Sequence, residues 1–436
     1  MISSTEFKKR RKQIARIIGS DSIAIIKAKS ASLRNGDADY KYRPNSNFYY
    51  LSGCHESEAI IIIIPENESG EDILFCREID PQKVIWHGPM LGLSDAKKKL
   101  KFDNSFDINS MNEIIPQLMR KRDKVYFILG EDLEFDKQIV QWTHAVKKDK
   151  WAKSEAPHEF ISLKPFLDDM RVYKSKEEIK CMKKSANIAA NAHIRMMQKC
   201  IPEMFEYQLA AEFYYSINQY NSQASYLPIV GGGNNACILH YINNNHKLKE
   251  GDLVLIDAGA EYDYYASDVT RTFPVNGTFN PAQSAIYSIV LAAHDAALAK
   301  AKVGNHWDEP HNAAVEVITQ GLIDLGILQG DLATNITENT YAHYFMHKTG
   351  HWLGLDVHDC GEYSVDGLWV ELEPNMVLTI EPGIYINNTA NVPEQYKGIG
   401  IRIEDDILIT KDGNIILSNK VPRTIPEIEQ LMRKES

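Results

Sequence analysis

The chain has 436 residues, with 48 Lys+Arg against 59 Asp+Glu, a formal net charge of −11. That length predicts two domains rather than one core, and 44% apolar residues exclude a disordered chain. The acidic balance argues against a dedicated nucleic-acid binder, which carries a basic excess.

The N-terminus carries Lys8, Lys9, Arg10, Arg11 and Lys12. No apolar run follows, so a signal peptide is not expected. The cluster reads either as a nuclear address or as a solvated helix face. The longest apolar run is residues 60–64, five isoleucines stopped by Pro65. A membrane span needs about 20 apolar residues, so this run predicts a buried strand and no membrane partner. Further strands are predicted at 23–27, 72–76 and 125–129, with a helix near 110–120 between them, which makes an α/β domain. The six cysteines are scattered and none forms a CxxC pair. This usage fits free thiols in a reducing cytoplasm.

A change of pattern comes near Tyr173. Ser175 and Glu178 make a capping box. Ile179, Met182, Ala186, Ala189, His193 and Met197 then recur at helical spacing. A second helix carries Leu209, Phe213 and Ile217. Residues 253–258 and 266–273 flank a turn-like 261–263 and predict a hairpin. Asn280-Pro281 opens a helix running to about residue 302, and another covers about 309–325. Late strands are predicted at 377–380, 399–409 and 415–417, the last two joined through Asp412-Gly413. The boundary divides the chain into residues 1–172 and 173–436.

Four places in the second part set a carboxylate or imidazole where an apolar residue is expected. In residues 399–404, the isoleucines alternate with Gly400, Arg402 and Glu404, which therefore share one face. Arg402 beside Glu404 is either a solvated ion pair or a carboxylate ligand with a supporting arginine. Asp257 ends an apolar strand, and an unpaired buried charge is very costly. Asp268 follows 11 residues later, and a turn near Asp263 would set the two across from one another. Close carboxylates repel unless a proton or metal lies between them. Residues 346–359 hold His347, His351 and His358 among glycines, although the whole chain has only 14 histidines. The spacing is not HExxH. Glu381 ends the strand 377–380 before Pro382.

The candidate ligands are therefore Asp257, Asp268, His351, Glu381 and Glu404. An oxygen-rich set with one imidazole suits Mn²⁺, Co²⁺, Fe²⁺ or Zn²⁺ in a two-metal site better than a thiolate zinc site. Spacing alone leaves the convergence of five scattered positions open.

The segments VLIDAGAEYDYYASDVTRTFPVNG, MHKTGHWLGLDVHDCG, LEPNMVLTIEPGIYI and VPEQYKGIGIRIEDDILIT resemble the pita-bread metallopeptidases, and among them the proline-specific aminopeptidases. GDADYKYRPNSNFYYLSG resembles the non-catalytic domain of that family, and the resemblance runs over nearly the whole chain. It implies a fold of α/β plus α+β, with an N-terminal α/β domain at 1–172 and a pita-bread catalytic domain at 173–436. It implies two divalent metals per subunit, most often Mn²⁺. Asp257 would bind one, Asp268 and Glu404 would bridge both, and His351 and Glu381 would bind the other. His347, His358 and Glu381 match catalytic positions, and His240, Arg402 and Tyr385 match positions near the substrate. The implied substrates are peptides with proline second. The alternatives are a proline dipeptidase or an inactive pita-bread binding protein. Asp37, Arg43 and Trp86 match positions that approach a neighbouring subunit in oligomeric relatives, so a homo-oligomer, dimer or tetramer, is expected. Lys348-Thr349-Gly350 departs from the small apolar residues of some relatives.

Overall fold

The computed structural model describes residues 1–67, 70–149, 151 and 155–433. The chain separates into two units, Met1–Met170 and Arg171–Ser436.

The first unit is built on a six-stranded mixed sheet. Its order is Asn104–Asp107, Asp72–Cys76, Ile60–Ile63, Ser22–Lys27, Lys124–Phe127 and Glu159–Ser162. The isoleucine run is central and buried on both faces, as a continuous apolar strand requires. The basic cluster is neither an exposed address nor a solvated face throughout. Arg10 and Arg11 are buried, and Arg11 Nε donates to Asp72 Oδ2 at 2.8 Å while Nη1 donates to the Leu51 carbonyl at 2.9 Å. A helix face can bury a guanidinium only with such partners. Trp86 and Asp37 lie exposed on this unit. Arg43 Nη1 donates to the Pro44 carbonyl and Ser46 Oγ, each at 3.3 Å.

The second unit opens with helices Lys176–Lys199 and Glu206–Asn218. Ser175 Oγ accepts from Glu178 N, and Glu178 Oε2 accepts from Ser175 N, so the capping box forms. Helices Pro281–Lys300 and Glu309–Asp324 pack against each other later in the chain. Several short sheets lie among them, three of which carry the site. One is Ile229–Gly232, Leu253–Asp257 and Thr270–Pro274; a second is Val377–Ile380, Asp405–Thr410 and Gly413–Ile416; a third is Gly383–Ile386 with Ile399–Arg402.

Two strand assignments change. The hairpin turns at Asp263-Tyr264, both at positive φ (54° and 67°), the signature of a two-residue type I′ turn. Asp257 therefore pairs with Thr270 rather than with Asp268. Asp268 sits two residues along on the same side, a diagonal neighbour. The predicted strand 399–409 is two strands, broken at Ile403-Glu404. Its partner is interrupted at Glu381-Pro382, where proline has no N–H to continue the ladder. Val377–Ile380 pairs with Asp405–Thr410, and Gly383–Ile386 pairs with Ile399–Arg402. Both carboxylates thus stand at the same seam.

His193, on the first long helix, is fully buried and pairs through Nε2 with the Ala258 carbonyl at 2.9 Å. Burial lowers its pKa from 6.5 to about 4, so it folds as a neutral ring. The unfolded state then binds more protons between those two values, and stability falls on acidification through that window. From pH 7 to 5 this one group should cost about 2 kcal/mol. A His193→Gln variant keeps a donor for Ala258 without titrating. Urea unfolding at fixed metal content should show a flatter pH dependence for that variant; equal slopes would contradict the assignment.

Candidate metal and catalytic site

The five candidate ligands reach the site from four separate segments. Asp257 closes the strand Leu253–Asp257. Asp268 precedes Thr270–Pro274, and its N–H donates to Asp406 Oδ1 at 3.0 Å. Glu404 lies at the seam, where its N–H donates to the Thr270 carbonyl at 3.1 Å. Glu381 follows Val377–Ile380 and donates its N–H to the Thr349 carbonyl at 2.8 Å. His351 sits in a loop pinned to that same strand, with its N–H donating to Thr379 Oγ1 at 3.1 Å. Its Nδ1 donates to the Trp352 carbonyl at 2.9 Å, which leaves Nε2 facing the carboxylates.

The groups converge. His351 Nε2 is 3.3 Å from Asp268 Oδ2 and 3.7 Å from Glu381 Oε1. Donor atoms of Asp268, His351 and Glu404 all lie within 4.8 Å of one another. A cavity of about 240 Å³ is lined by all five candidates and by His240, His347, His358 and Arg402. His240 and His358 are exposed at this cavity, whereas Glu404 and Arg402 are buried.

The protonation balance reflects how closely the acids are gathered. Burial, then repulsion from Asp268 and Glu381, holds the Glu404 carboxyl well above its ordinary range. Burial lifts Asp257, with Arg402 opposing, and lifts Glu381 to about 7. Asp268 goes the other way: burial would raise it, but the His351 hydrogen bond wins and lowers it. His351 itself rises to about 9, because Asp268 and Glu381 outweigh its burial. Four buried or half-buried carboxylates and one imidazole, with three acids pushed toward the neutral form, are the donor set a divalent cation would satisfy.

Tyr226 was not legible as a site residue in the sequence. Its hydroxyl pairs with Asp257 Oδ1 and lies 2.5 Å from Asp268 Oδ1, joining the two carboxylates. Nothing in its local pattern separates it from the other 20 tyrosines. Asp406 was missed too, though a carboxylate inside an apolar strand is the same signal that marked Glu404.

Arg402 is less free for substrate than the sequence suggests. Nη2 donates to Asp257 Oδ2 at 2.6 Å, Nη1 to Tyr385 Oη at 2.8 Å and Nε to Thr270 Oγ1 at 3.1 Å. Tyr385 in turn meets His347 Nε2 at 2.8 Å. His347 Nδ1 is 2.8 Å from the Lys348 carbonyl. That carbonyl can only accept, so Nδ1 carries the proton and Nε2 accepts from Tyr385. Burial and the nearby Arg402 lower the His347 pKa to about 3, which keeps this ring neutral.

The sequence also resembles known families and proteins. Residues 180–411 match the model of metallopeptidase family M24, and residues 7–126 match that of the aminopeptidase P N-terminal domain. The chain is 43% identical to Xaa-Pro aminopeptidase of Escherichia coli, over 99% of this chain and 98% of the relative. It is 30% identical to human Xaa-Pro aminopeptidase 3, over 100% and 87% respectively. Its fold matches the solved structure of Pseudomonas aeruginosa aminopeptidase PepP with a TM-score of 0.97 and 45% identity, covering 99% of this chain and 98% of that one. It matches a zinc-substituted E. coli aminopeptidase P in complex with product at a TM-score of 0.96 and 42% identity, covering all of both chains.

Proposed function

The chain belongs to metallopeptidase family M24, with its pita-bread fold, and from that premise we propose that it is an Xaa-Pro aminopeptidase, releasing the N-terminal residue of peptides whose second residue is proline. The observation that carries the reading is the buried cluster of Asp257, Asp268, His351, Glu381 and Glu404 opening into one cavity. The specificity for proline rests on the near full-length relatives of that name. The intact donor set speaks against an inactive binding protein.

In this reading Asp257, Asp268, His351, Glu381 and Glu404 would together hold two divalent ions. Mn²⁺ is the expected ion, with Co²⁺, Zn²⁺ or Fe²⁺ as substitutes. When bound, such ions acidify water and polarise a carbonyl. The chain's own residues do the rest. Glu381 Oε2, 3.8 Å from His347 Nδ1, accepts a proton from the attacking water and returns it to the leaving proline nitrogen. His358, exposed at the cavity, donates to the oxygen as charge develops on it. Arg402 and Tyr385 position Asp257 and His347. His240 and His347 form the wall of the pocket that takes the proline ring.

Six free cysteines support a reducing cytoplasm. Among the described residues no helix is long and apolar enough to cross a membrane. Trp86, 82% exposed, supports a homo-oligomer in which it is covered.

The test is a peptide panel after metal stripping and readdition. Xaa-Pro-Xaa tripeptides should be cleaved at the first bond, with Xaa-Ala-Xaa at least about a hundredfold poorer, a gap of about 3 kcal/mol in transition-state binding. Cleavage of Xaa-Pro dipeptides alone would favour a proline dipeptidase instead.

A further inference from the structure

Behind the wall that carries His351 lies a second cavity of about 400 Å³. It is larger than the one holding the ligand cluster, and small-molecule sites typically occupy about 300–1,000 Å³. One side is aromatic, formed by Trp307, Tyr363 and Trp369. The Trp307 ring centroid is 4.7 Å from that of Tyr363 and 4.2 Å from that of the buried Trp352, so these rings brace one another, while Trp369 closes the side from a more exposed position.

Charges of both signs border the same space. Lys348 lines it, as it also lines the ligand-cluster cavity, and has no carboxylate partner among the described residues. Asp308 also lines it, with Oδ2 accepting from Asn312 Nδ2 at 2.9 Å. His311 stands between, its Nδ1 2.8 Å from Thr349 Oγ1. The floor includes Thr349, Gly350 and Thr379. At Gly350 the wall is backbone against backbone, since a Cβ there would lie 2.0 Å from the Thr379 carbonyl oxygen. A molecule in this cavity therefore rests on the segment that fixes His351.

We propose that this cavity binds a free aromatic amino acid, with its ring against Trp307 and Trp369, its carboxylate at Lys348 and its ammonium toward Asp308. The argument is charge complementarity. A zwitterion matches one cation and one anion at the rim, and a planar ring matches the aromatic side. The reaction proposed above releases free amino acids, so the supply of this ligand rests on that reading, while the binding does not.

The test is calorimetric titration of L-phenylalanine into the metal-loaded chain saturated with Pro-Leu, a dipeptide that inhibits the E. coli relative. One site per chain is expected to persist. Phenylalaninamide and N-acetylphenylalanine should each bind at least tenfold more weakly than L-phenylalanine. Asp308→Asn and Lys348→Met should each weaken L-phenylalanine at least tenfold, and Asn312→Trp should abolish it by filling the space. Asp308→Asn should turn over Xaa-Pro-Xaa normally without added amino acid. Absence of binding at millimolar L-phenylalanine would overturn the proposal, as would complete displacement by Pro-Leu with indifference to Asn312→Trp. Binding of the expected pattern in a chain that cleaves no peptide would uphold this site and overturn the activity reading alone.

Discussion

Replacing Asp268 by Asn should lower kcat/KM for an Xaa-Pro-Xaa peptide by at least about a thousandfold, equivalent to about 4 kcal/mol of transition-state stabilisation. The change is nearly isosteric, so the backbone bond from Asp268 N to Asp406 should survive. What disappears is one of four negative charges and an oxygen facing His351 Nε2. An amide placed there presents N–H where a cation needs an oxygen donor. Bound metal should fall along with turnover. Near-normal turnover by Asp268→Asn, with its metal content confirmed, would remove Asp268 from the ligand set.

A second large effect is expected for stability. Arg271 and Asp405 are both fully buried and pair at 2.7 Å through Nη2 and Oδ1. Arg271 also holds the site's frame. Nη1 donates to the Thr270 carbonyl at 2.9 Å and to the Glu404 carbonyl at 2.6 Å, and Nε donates to the Pro422 carbonyl at 3.0 Å. Burial would raise the Asp405 pKa, yet Arg271 and His294 hold it well below the usual range. Arg271→Met keeps the volume but strands a buried carboxylate and several carbonyls. Breaking a buried pair in this way costs about 3–5 kcal/mol. In a unit of this size that corresponds to a fall in Tm of about 6–20 °C. Because the same arginine clamps Thr270 and Glu404, metal affinity should also drop. An unchanged Tm would mean that Ser418 and His294, which also face Asp405, suffice to hold it.

These two predictions draw on different kinds of legibility. Asp257, Glu381 and Glu404 stood out because a carboxylate in an apolar strand must be paid for by a cation or donors. Asp268 and His351 were marked by their neighbours, a facing carboxylate and a run of histidines. The structure brings all five into one cavity. The diagonal placement of Asp257 and Asp268 was not readable, because it depends on a turn one residue later than the spacing suggests. The break at Ile403 follows from Pro382 on the paired segment, a long-range effect invisible within residues 399–409. Tyr226, Thr270 and Arg271 act through partners far away in sequence, so no local pattern exposes them. The second cavity is likewise a product of packing between Glu309–Asp324 and the Lys348–Gly350 loop.

The most direct test of the central claim is to titrate the metal-free chain with Mn²⁺ while recording bound metal and hydrolysis of an Xaa-Pro-Xaa peptide together. The arrangement of Asp257, Asp268, His351, Glu381 and Glu404 predicts two ions per chain, with no activity before metal is added and full activity at saturation. Full hydrolysis by a chain shown to hold no metal, or no binding of any divalent ion, would contradict it.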